Sequence, residues 1–549
     1  MVNPGGNIAP NNNISFTPRL HHTTSKHLSD PALHLNDSYS SVKNEKTQYV
    51  LIPPDEMKKV GKQGALFKDS INQLKKLNVE IDSQLPLIGG YVANLDNATK
   101  KLLEKKGYHV FVDEEKNWLP TKPWEKELSN KVNDQPCDEI SGAQVLKERP
   151  KLEQARFQHP LADKYQGEGV TIAVIDSGIY PHPDFTYPQN RIVAFVDFVN
   201  GKKVPYDDNG HGTHVAGDAA GNGKMSGGLY KGPAPKANIV ALKALADSGG
   251  GKTSDIIKSL AWCIQNKDRH NIKVINMSLG HTARKDFQND PVNQAVKKAF
   301  EAGIVVVAAA GNEGPGPRTI GAPGDSPHAI SVGAADDMNT PDPSDDNITD
   351  FSSRGPTPGG LIKPDLVAPG EAIIAPMSPG TEAESSSRRY TNMKETMKWF
   401  SQMPDEVLIR VPTESLKLLG LSQETINRWH SSAKQARKEI KRIFRATQKL
   451  PIEEEAYVGM PGTSMASPIV AGVVAQMIQA NPDLTPGQIS TILKQTADKL
   501  PGDLPKTTQG HGMIDPYEAI QTALDIKDGK TIIPEPKIDW PNSEKNRKK

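Results

Sequence analysis

Three short strings of the sequence place reactive side chains among small residues. VIDSGIYPHPDF carries Asp176 at the end of an apolar run, DDNGHGTHVAGD surrounds His211 with glycines, and GTSMASPIVAG sets Ser464 at a glycine-rich turn. Acyl transfer needs a nucleophile, a base that takes its proton, and an acid that orients the base. Ser464, His211 and Asp176 supply these three types, and their small neighbours would let a substrate backbone approach.

The same chemistry needs a donor for the negative charge that develops on the carbonyl oxygen. Asn312, in the string AAAGNEGP, offers a side-chain amide at the end of another apolar run. The backbone N–H of Ser464 offers a second donor, because it lies at the start of a predicted helix. The sequence therefore supplies all four parts of an acyl-transfer site.

The elements that must position these residues alternate between two patterns. Near-continuous apolar runs predict strands buried on both faces, and the segments between them have helical periodicity. The predicted strands are 170–176, 238–245, 273–280 and 304–312, and the predicted helices are 253–266 and 291–302. This alternation predicts an α/β fold with a doubly wound parallel sheet. Sites in such sheets form beyond the carboxyl ends of strands, where Asp176 and Asn312 would lie.

The chain divides into segments of different composition. We predict a disordered leader (1–46), a small α+β domain (47–115), a polar linker (116–151), the catalytic domain (152–526), a helical insertion within it (380–455) and a polar tail (527–549). The α+β domain reads as strand, helix, strand, helix, strand. The insertion contains no strand-like run, and its SSSRRY string is typical of an exposed, cleavable loop.

The last predicted helix of the insertion is strongly basic. Eight basic residues face one acid, Glu439: Arg428, Lys434, Arg437, Lys438, Lys441, Arg442, Arg445 and Lys449. Such a helix is usually a solvated face, and the sharper hypothesis is a lid or a docking surface for an acidic partner. Because the insertion returns to the domain shortly before Ser464, the second hypothesis stays open.

Composition excludes several classes of protein. The 549 residues carry 66 basic and 65 acidic side chains, a net charge of +1, which argues against a dedicated nucleic-acid binder. Two cysteines exclude a disulfide framework and a four-thiolate zinc site. No apolar run is long enough to span a membrane. The leader has none of the features of a secretory signal, so we expect a cytoplasmic protein, with export by another route left open.

The three strings resemble those of the subtilisin-like serine proteases, in the order Asp, His, Ser. The resemblance covers about 162–526, interrupted by the insertion, and the strings YKGPAP and FSSRGP are most similar to the AprX-type subtilisins, a group without secretion signals. It implies that Ser464 is the nucleophile, His211 the general base and then acid, Asp176 the residue that orients it, and Asn312 the oxyanion donor.

The resemblance also implies where substrate binds. Ser278, Leu279 and Gly280 would form an edge strand that pairs with the substrate backbone, which gives affinity without reading sequence. Ala309, Ala310 and Gly311 would line the primary specificity pocket, with Gly321 at its floor and Glu313 near its rim. Small floor residues predict a roomy pocket for apolar side chains, and Glu313 would add tolerance for Lys or Arg.

Calcium is the one cofactor that the resemblance raises. Many subtilisins carry calcium in loops, and Asp197 matches a position that often ligates it. The loop 221–232 contains no carboxylate, although calcium sites usually include several oxygen ligands of this kind. We therefore expect no required cofactor and no tight site in this loop, with a weaker calcium site elsewhere left open.

The segment 47–115 resembles the inhibitor-chaperone propeptide of these enzymes, chiefly in LIGGYVANLD and GYHVFVDEE. The resemblance implies a serine endopeptidase that acts on proteins and peptides and is made as a zymogen. Its prodomain would be an intramolecular inhibitor, and autocleavage would fall within 116–151. Two alternatives remain: a regulatory protein whose site stays blocked, and an esterase or peptide ligase that uses the same residues.

Overall fold

The computed structural model describes residues 46–54, 63–119, 159–340, 342–447, 452–453 and 456–536. The predicted leader, most of the predicted linker and the end of the predicted tail lie outside these ranges. Within them, no helix is long and apolar enough to cross a membrane.

A large parallel sheet forms the centre of the main domain. Its strands are β6 (Thr171–Asp176), β7 (Ile192–Asp197), β8 (Asn238–Lys243), β10 (Ile272–Met277), β11 (Val305–Ala309), β12 (Ile330–Asp336), β13 (Asn347–Ile348) and β14 (Leu366–Pro369). The spatial order is β13-β12-β11-β10-β6-β8-β7, and β14 also pairs with β12. Only β13 runs antiparallel to its neighbour. The predicted parallel sheet is therefore present, with four further strands that the sequence analysis does not name.

The central strands are buried on both faces, and alternate residues of β6 enter different cores. Ile172 and Val174 pack with α4 (His211–Ala220) and α12 (Thr463–Ala480), whereas Ala173 and Ile175 pack on the other side of the sheet. Because successive side chains of a strand point to opposite faces, an all-apolar strand needs a layer of helices on each side.

The remaining helices of the main domain complete these two layers and the C-terminal end. They are α3 (Pro183–Thr186), α5 (Thr253–His270), α6 (Pro291–Glu301), α13 (Pro486–Thr496), α14 (Lys506–Gln509) and α15 (Pro516–Lys527). Buried side chains of α5 and α6 belong to one core, and those of α13 and α15 belong to the other.

The N-terminal segment forms a four-stranded antiparallel sheet with two helices. Its elements are β1 (Thr47–Ile52), α1 (Gln63–Lys76), β2 (Glu80–Leu85), β3 (Gly90–Leu95), α2 (Asn97–Lys105) and β4 (His109–Val112), in the sheet order β2-β3-β1-β4. The alternating strand β2 is absent from the sequence prediction. In β1, Tyr49 and Leu51 face the unit's own core, whereas Val50 and Ile52 join the core under α5 and α6. The unit therefore packs on the main sheet domain through one face of its own sheet.

The insertion lies between the two strands of a hairpin that leads to Ser464. Strand β15 (Ile373–Pro376) pairs antiparallel with β17 (Tyr457–Met460), and β16 (Ile452–Glu453) joins β17. Between them lie α7 (Glu382–Ser401), α8 (Asp405–Leu408), α9 (Thr413–Leu418), α10 (Gln423–Ser431) and α11 (Ala433–Thr447). These helices enclose a separate apolar core that contains Met397, Leu416, Trp429 and Ile440. Such a core explains how a long insertion fits into a hairpin loop.

Two predictions about the insertion are wrong. It contains the short strand β16, and SSSRRY lies inside α7 rather than in a loop. The helix begins at the cap Thr381, whose side chain accepts a hydrogen bond from the Glu384 N–H. The acidic first turn of α7, with Glu382 and Glu384, favours this helix start. The serine-rich string that follows is typical of a loop, so the sequence pattern does not indicate the helix.

Candidate active site

His211 and Asp176 form a direct hydrogen bond. His211 Nδ1 lies 2.8 Å from Asp176 Oδ1. Asp176 ends β6, as predicted, and His211 is the first residue of α4, a helix that the sequence analysis does not name. The Asp176 side chain is 1% exposed and that of His211 is 13% exposed. A buried carboxylate that holds one ring nitrogen leaves the other nitrogen directed away from it, as a general base requires.

A network of short hydrogen bonds holds this pair. The Ser177 N–H donates to Asp176 Oδ1 at 2.7 Å, the Ser177 hydroxyl donates to Asp207 at 2.9 Å, and the Gly212 N–H donates to the Ser177 hydroxyl at 2.9 Å. A Cβ at Gly212 would lie 2.3 Å from the carbonyl oxygen of Gly178. The glycines around His211 therefore let α4 begin directly against the end of β6.

The charges around His211 raise its pKa above the usual 6.5. Burial, the largest single influence, lowers the pKa, but the Asp176 carboxylate and its hydrogen bond raise it, and the carboxylates of Asp207 and Asp218 raise it further. The imidazolium form is therefore stabilised, as expected for a base that must accept a proton during a reaction.

Ser464 is the second residue of α12, which packs against the helix of His211. Its N–H is among the first four of the helix, which have no acceptor within it. In this conformation the Ser464 hydroxyl donates to the Ser278 carbonyl at 3.3 Å, so its one proton is not given to His211. The Ser278 hydroxyl donates in turn to the Ser464 carbonyl at 2.6 Å. The structure thus joins Ser464 to the predicted substrate segment 278–280 and places Ser464 on the helix beside His211. This segment follows β10, which ends at Met277, and is not itself a strand.

Asn312 is oriented by Thr463. Its Oδ1 accepts hydrogen bonds from the Thr463 N–H at 3.0 Å and from the Thr463 hydroxyl at 2.9 Å. The amide nitrogen therefore faces the other way, and it lies 3.3 Å from the position that a Cβ of Gly462 would take. This puts an N–H donor next to the turn that carries Ser464, which suits stabilisation of an oxyanion.

The predicted pocket segments lie side by side. The Gly321 N–H donates to the Ala310 carbonyl at 3.0 Å, and the Gly311 N–H donates to the Thr463 hydroxyl at 3.1 Å. Ala309 and Ala310 are buried, whereas Glu313 is exposed. The structure therefore groups the candidate pocket residues near the start of α12, with Glu313 at the surface.

Residues 116–118 of the chain lie beside the predicted substrate segment 278–280. We define the cleft as the space between residues 249–251 and 278–280. Strand β5 (Lys116–Asn117) pairs antiparallel with β9 (Gly250–Gly251), and the Gly280 N–H donates to the Trp118 carbonyl at 2.8 Å. The prediction of an exposed linker is wrong at this point, because Trp118 has 0% exposure.

The indole of Trp118 fills a closed site in the cleft. Its Nε1–H donates to the Gly251 carbonyl at 2.7 Å, and its ring meets the His281 ring edge-on, with the centroids 5.0 Å apart. Leu279 and Ile256 belong to the same buried cluster. An apolar side chain with one satisfied donor is well suited to such a site.

Sequence reasoning missed several residues that build the site. Residues 249–251 form the second wall of the cleft, Thr463 orients Asn312, and Trp118 fills the cleft. The run of three glycines before α5 was a signal for close approach of another backbone, since no side chain stands in its way. Trp118 gave no such signal, because a lone tryptophan in a polar segment has no periodicity.

Asp197 does not fit a calcium ligand. Its Oδ1 accepts hydrogen bonds from the N–H groups of Val199 and Asn200, and its Oδ2 accepts from the Lys202 N–H and the Tyr206 hydroxyl, all between 2.8 and 3.0 Å. Four protein donors therefore use both oxygens that a metal would need. Among the described residues, no group of three or more His, Cys, Asp or Glu is placed to hold a metal ion.

Comparison with known proteins gives a family and several relatives. Residues 167–403 and 443–512 match the model of the Subtilase family, which leaves out much of the insertion. The serine protease AprX of Bacillus subtilis (strain 168) is 42% identical over 338 residues, which is 61% of this chain and 62% of that protein. Subtilisin DY of Bacillus licheniformis is 38% identical over 217 residues, or 39% of this chain and 69% of that protein. Subtilisin Savinase of Lederbergia lenta is 38% identical over 218 residues, or 39% and 70%.

The family match covers more than half of the chain and contains all four candidate catalytic residues. It also covers the strands of the central sheet, which confirms the predicted α/β fold. The chain therefore belongs to the subtilase family.

Proposed function

We propose that the protein is a serine endopeptidase that hydrolyses peptide bonds through an acyl-enzyme. Ser464 attacks the carbonyl carbon, His211 takes the hydroxyl proton and passes it to the leaving amine, and Asp176 orients the imidazole. Asn312 and the Ser464 N–H stabilise the oxyanion. Water then releases the acyl group with His211 as the base. No cofactor is needed for these steps.

The hydrogen bond of 2.8 Å between His211 and Asp176 is the observation that carries this proposal. A buried carboxylate fixes the imidazole, and the helix of the imidazole packs against the helix of the candidate nucleophile. The match to a relative named as a serine protease supports the same chemistry. The chain spans 62% of that relative, so the activity is proposed rather than carried over.

Peptide substrates are favoured over small esters because the cleft binds a backbone. The Trp118 N–H donates to the Gly249 carbonyl at 3.2 Å, and the Trp118 carbonyl accepts from the Gly280 N–H at 2.8 Å. Main-chain bonds on both sides of an extended segment are a general way to hold polypeptide. We therefore propose protein and peptide substrates. We also propose that the protein acts in the cytoplasm.

The cleft contents support production as a zymogen. The N-terminal unit packs on the main domain, and its last residues run through the cleft as a substrate would. We propose that this unit inhibits the enzyme until the chain is cut within a few residues after Leu119, inside the predicted segment 116–151.

Expression of the full chain and of Ser464→Ala tests the proposal. The wild type should cut itself, and N-terminal sequencing should place the cut shortly after Leu119. Ser464→Ala should stay full-length, because the nucleophile is missing. Equal processing of both proteins would assign the cut to another protease, and an uncut wild type that never reacts would favour the alternative of a permanently blocked regulatory protein.

A further inference from the structure

Lys243 is a charged residue at the end of an apolar strand, and its side chain is 0% exposed. Lysine is almost never fully buried unless its charge is compensated, because removing an ammonium from water is costly. Here each of its three protons has an acceptor. Nζ donates to the Ser177 carbonyl at 2.7 Å, to Asp208 Oδ1 at 2.6 Å and to the Leu245 carbonyl at 2.8 Å.

These acceptors belong to the segments that carry the triad. Lys243 lies opposite Asp176 on the neighbouring strand, and Ser177 follows Asp176 directly. Asp208 stands in the loop that leads to His211. The N–H groups of Ala244 and Leu245 donate to the Asp176 carbonyl at 2.9 and 3.2 Å, so the residues after Lys243 also bind the end of β6.

Charged side chains in the segments around His211 come from five places: β6, the loop before α4, α4 itself, the first turn of α7, and β8. Asp176 lies on β6, Asp207 lies in the preceding loop, and Asp218 on α4 is paired with His214 at 3.0 Å. The first turn of α7 in the insertion approaches Gly210, and there Glu384 is paired with Arg388. Lys243 on β8 is paired with Asp208 in the loop before α4, and only Asp208 of that pair reaches solvent, with 37% exposure.

We propose that Lys243 is a positioning residue for the proposed protease. Its ammonium joins the end of the Asp176 strand to the loop before His211, and it places a buried positive charge behind the pair of Asp176 and His211. The ammonium holds three segments at one point, so it fixes how the carboxylate meets the imidazole. It does not touch substrate. This inference rests on the proposed function.

Kinetics of the matured enzyme test the inference, with Lys243→Met as the main variant. Methionine keeps an unbranched apolar side chain that is one atom shorter, and it removes the charge and the donors. We expect kcat to fall about 10- to 100-fold, as for a small misplacement of catalytic groups, while KM changes less than about twofold. The acid limb of the kcat/KM profile should move up by about half a pH unit, since a positive charge that disfavours the imidazolium is removed while the Asp208 carboxylate stays.

Asp208→Asn should move the acid limb in the opposite direction. It leaves the ammonium without its counter-charge, which disfavours the imidazolium, so activity should extend to lower pH. The double variant should bring the limb back toward that of the wild type while kcat stays low. If Lys243 only stabilised the fold, the two single variants would not move the acid limb in opposite directions. Lys258→Met, which breaks an ordinary pair with Asp255 on α5, is the matched control and should change neither kcat nor the limb.

Each outcome decides the inference. A folded Lys243→Met enzyme with wild-type kcat and an unmoved limb would overturn it, and so would shifts of the same sign in both single variants. If Lys243→Met does not fold, Asp208→Asn decides alone, and an unmoved limb overturns the inference. The proposed function is tested separately, since turnover by the wild type must be lost in Ser464→Ala before any variant is compared.

Discussion

At the scale of single residues, the candidate catalytic side chains are oriented by hydrogen bonds from neighbouring residues that take no part in the reaction. Thr463 orients Asn312 through two hydrogen bonds, and Ser177 supports Asp176 through its N–H. Positions of the four candidate residues were visible in the sequence because Asp176 and Asn312 end apolar runs and His211 and Ser464 sit in glycine-rich strings. Their supporting partners were not, because Thr463 and Ser177 are polar residues of a common kind whose role depends on contacts distant in the chain.

Asn312→Ala should lower kcat by about 10² to 10³, since one oxyanion donor is lost. KM for a peptide should change little, because the donor acts on charge that develops in the transition state. Steady-state kinetics on the matured variant measures both constants. Thermal unfolding serves as the control, and a variant with full kcat would remove Asn312 from the proposed mechanism.

The pH profile should show an acid limb above pH 6.5. The pKa of His211 is raised by Asp176, Asp207 and Asp218, and the imidazole must be neutral to act as a base, so activity falls as the pH decreases through this raised pKa. Asp176→Asn should lower kcat by about 10⁴ and move the limb to lower pH. A profile that is flat between pH 5 and 8 would contradict the role of His211.

At the scale of elements, the N-terminal unit completes a helix of the main domain. Helix α5 begins at Lys252 without a side-chain cap of its own, and the Ser254 N–H donates to Asp113 Oδ1 at 2.9 Å. Asp113 is 1% exposed. A carboxylate at a helix N-terminus satisfies an otherwise unpaired N–H and interacts favourably with the helix dipole.

Asp113→Ala in the Ser464→Ala background should loosen the start of α5. The lost cap should cost about 1 kcal/mol, or roughly fivefold in the local opening equilibrium. Hydrogen exchange followed by mass spectrometry should show faster exchange of peptides that cover the first turn of α5. Asp82→Ala, which removes an exposed carboxylate of the same unit, is the control, and identical exchange in both variants would show that Asp113 is no cap.

Elements with strong periodicity could be predicted, and elements fixed by distant contacts could not. The start of α12 near Ser464 was predicted because an apolar run follows a glycine turn. Strand β2 is polar on one face and was missed, and β5 exists only because β9 pairs with it. The start of α7 was hidden by serines that form a loop as readily as a helix. The strands β2 and β5 depend on the strands they pair with, β3 and β9, whereas the start of α7 depends on its own cap, Thr381.

At the scale of the whole molecule, the N-terminal unit and the insertion both pack against the main sheet domain. The prediction of one basic helix is wrong, because Arg428 lies on α10 whereas Arg437 and Arg442 lie on α11. The basic charge is partly neutralised within the insertion: Arg428 and Arg442 both bind Glu439, and Arg437 binds Asp405. The insertion also approaches the site, because a Cβ at Gly210 would lie 2.9 Å from the Thr381 hydroxyl. These contacts weaken the hypothesis of an acidic partner and favour the hypothesis of a lid.

Deletion of residues 382–454 with a short Gly/Ser bridge should leave a folded enzyme, because the helices of the insertion pack around their own core and β15 still meets β17. A lid predicts that cleavage of a folded protein rises relative to cleavage of a short peptide, since access for bulky substrates improves. Equal rates before and after deletion, for both substrates, would leave the insertion without a role in access.

The central claim is that Ser464 is a nucleophile activated by His211. Treatment of the matured protein with a serine-directed fluorophosphonate, followed by peptide mass spectrometry, tests this claim most directly. We expect one stoichiometric adduct on Ser464, lost in Ser464→Ala and formed far more slowly in His211→Ala, with both variants first cut by active wild-type enzyme because neither can process itself. An adduct on a different residue, or equal labelling of the wild type and His211→Ala, would contradict it.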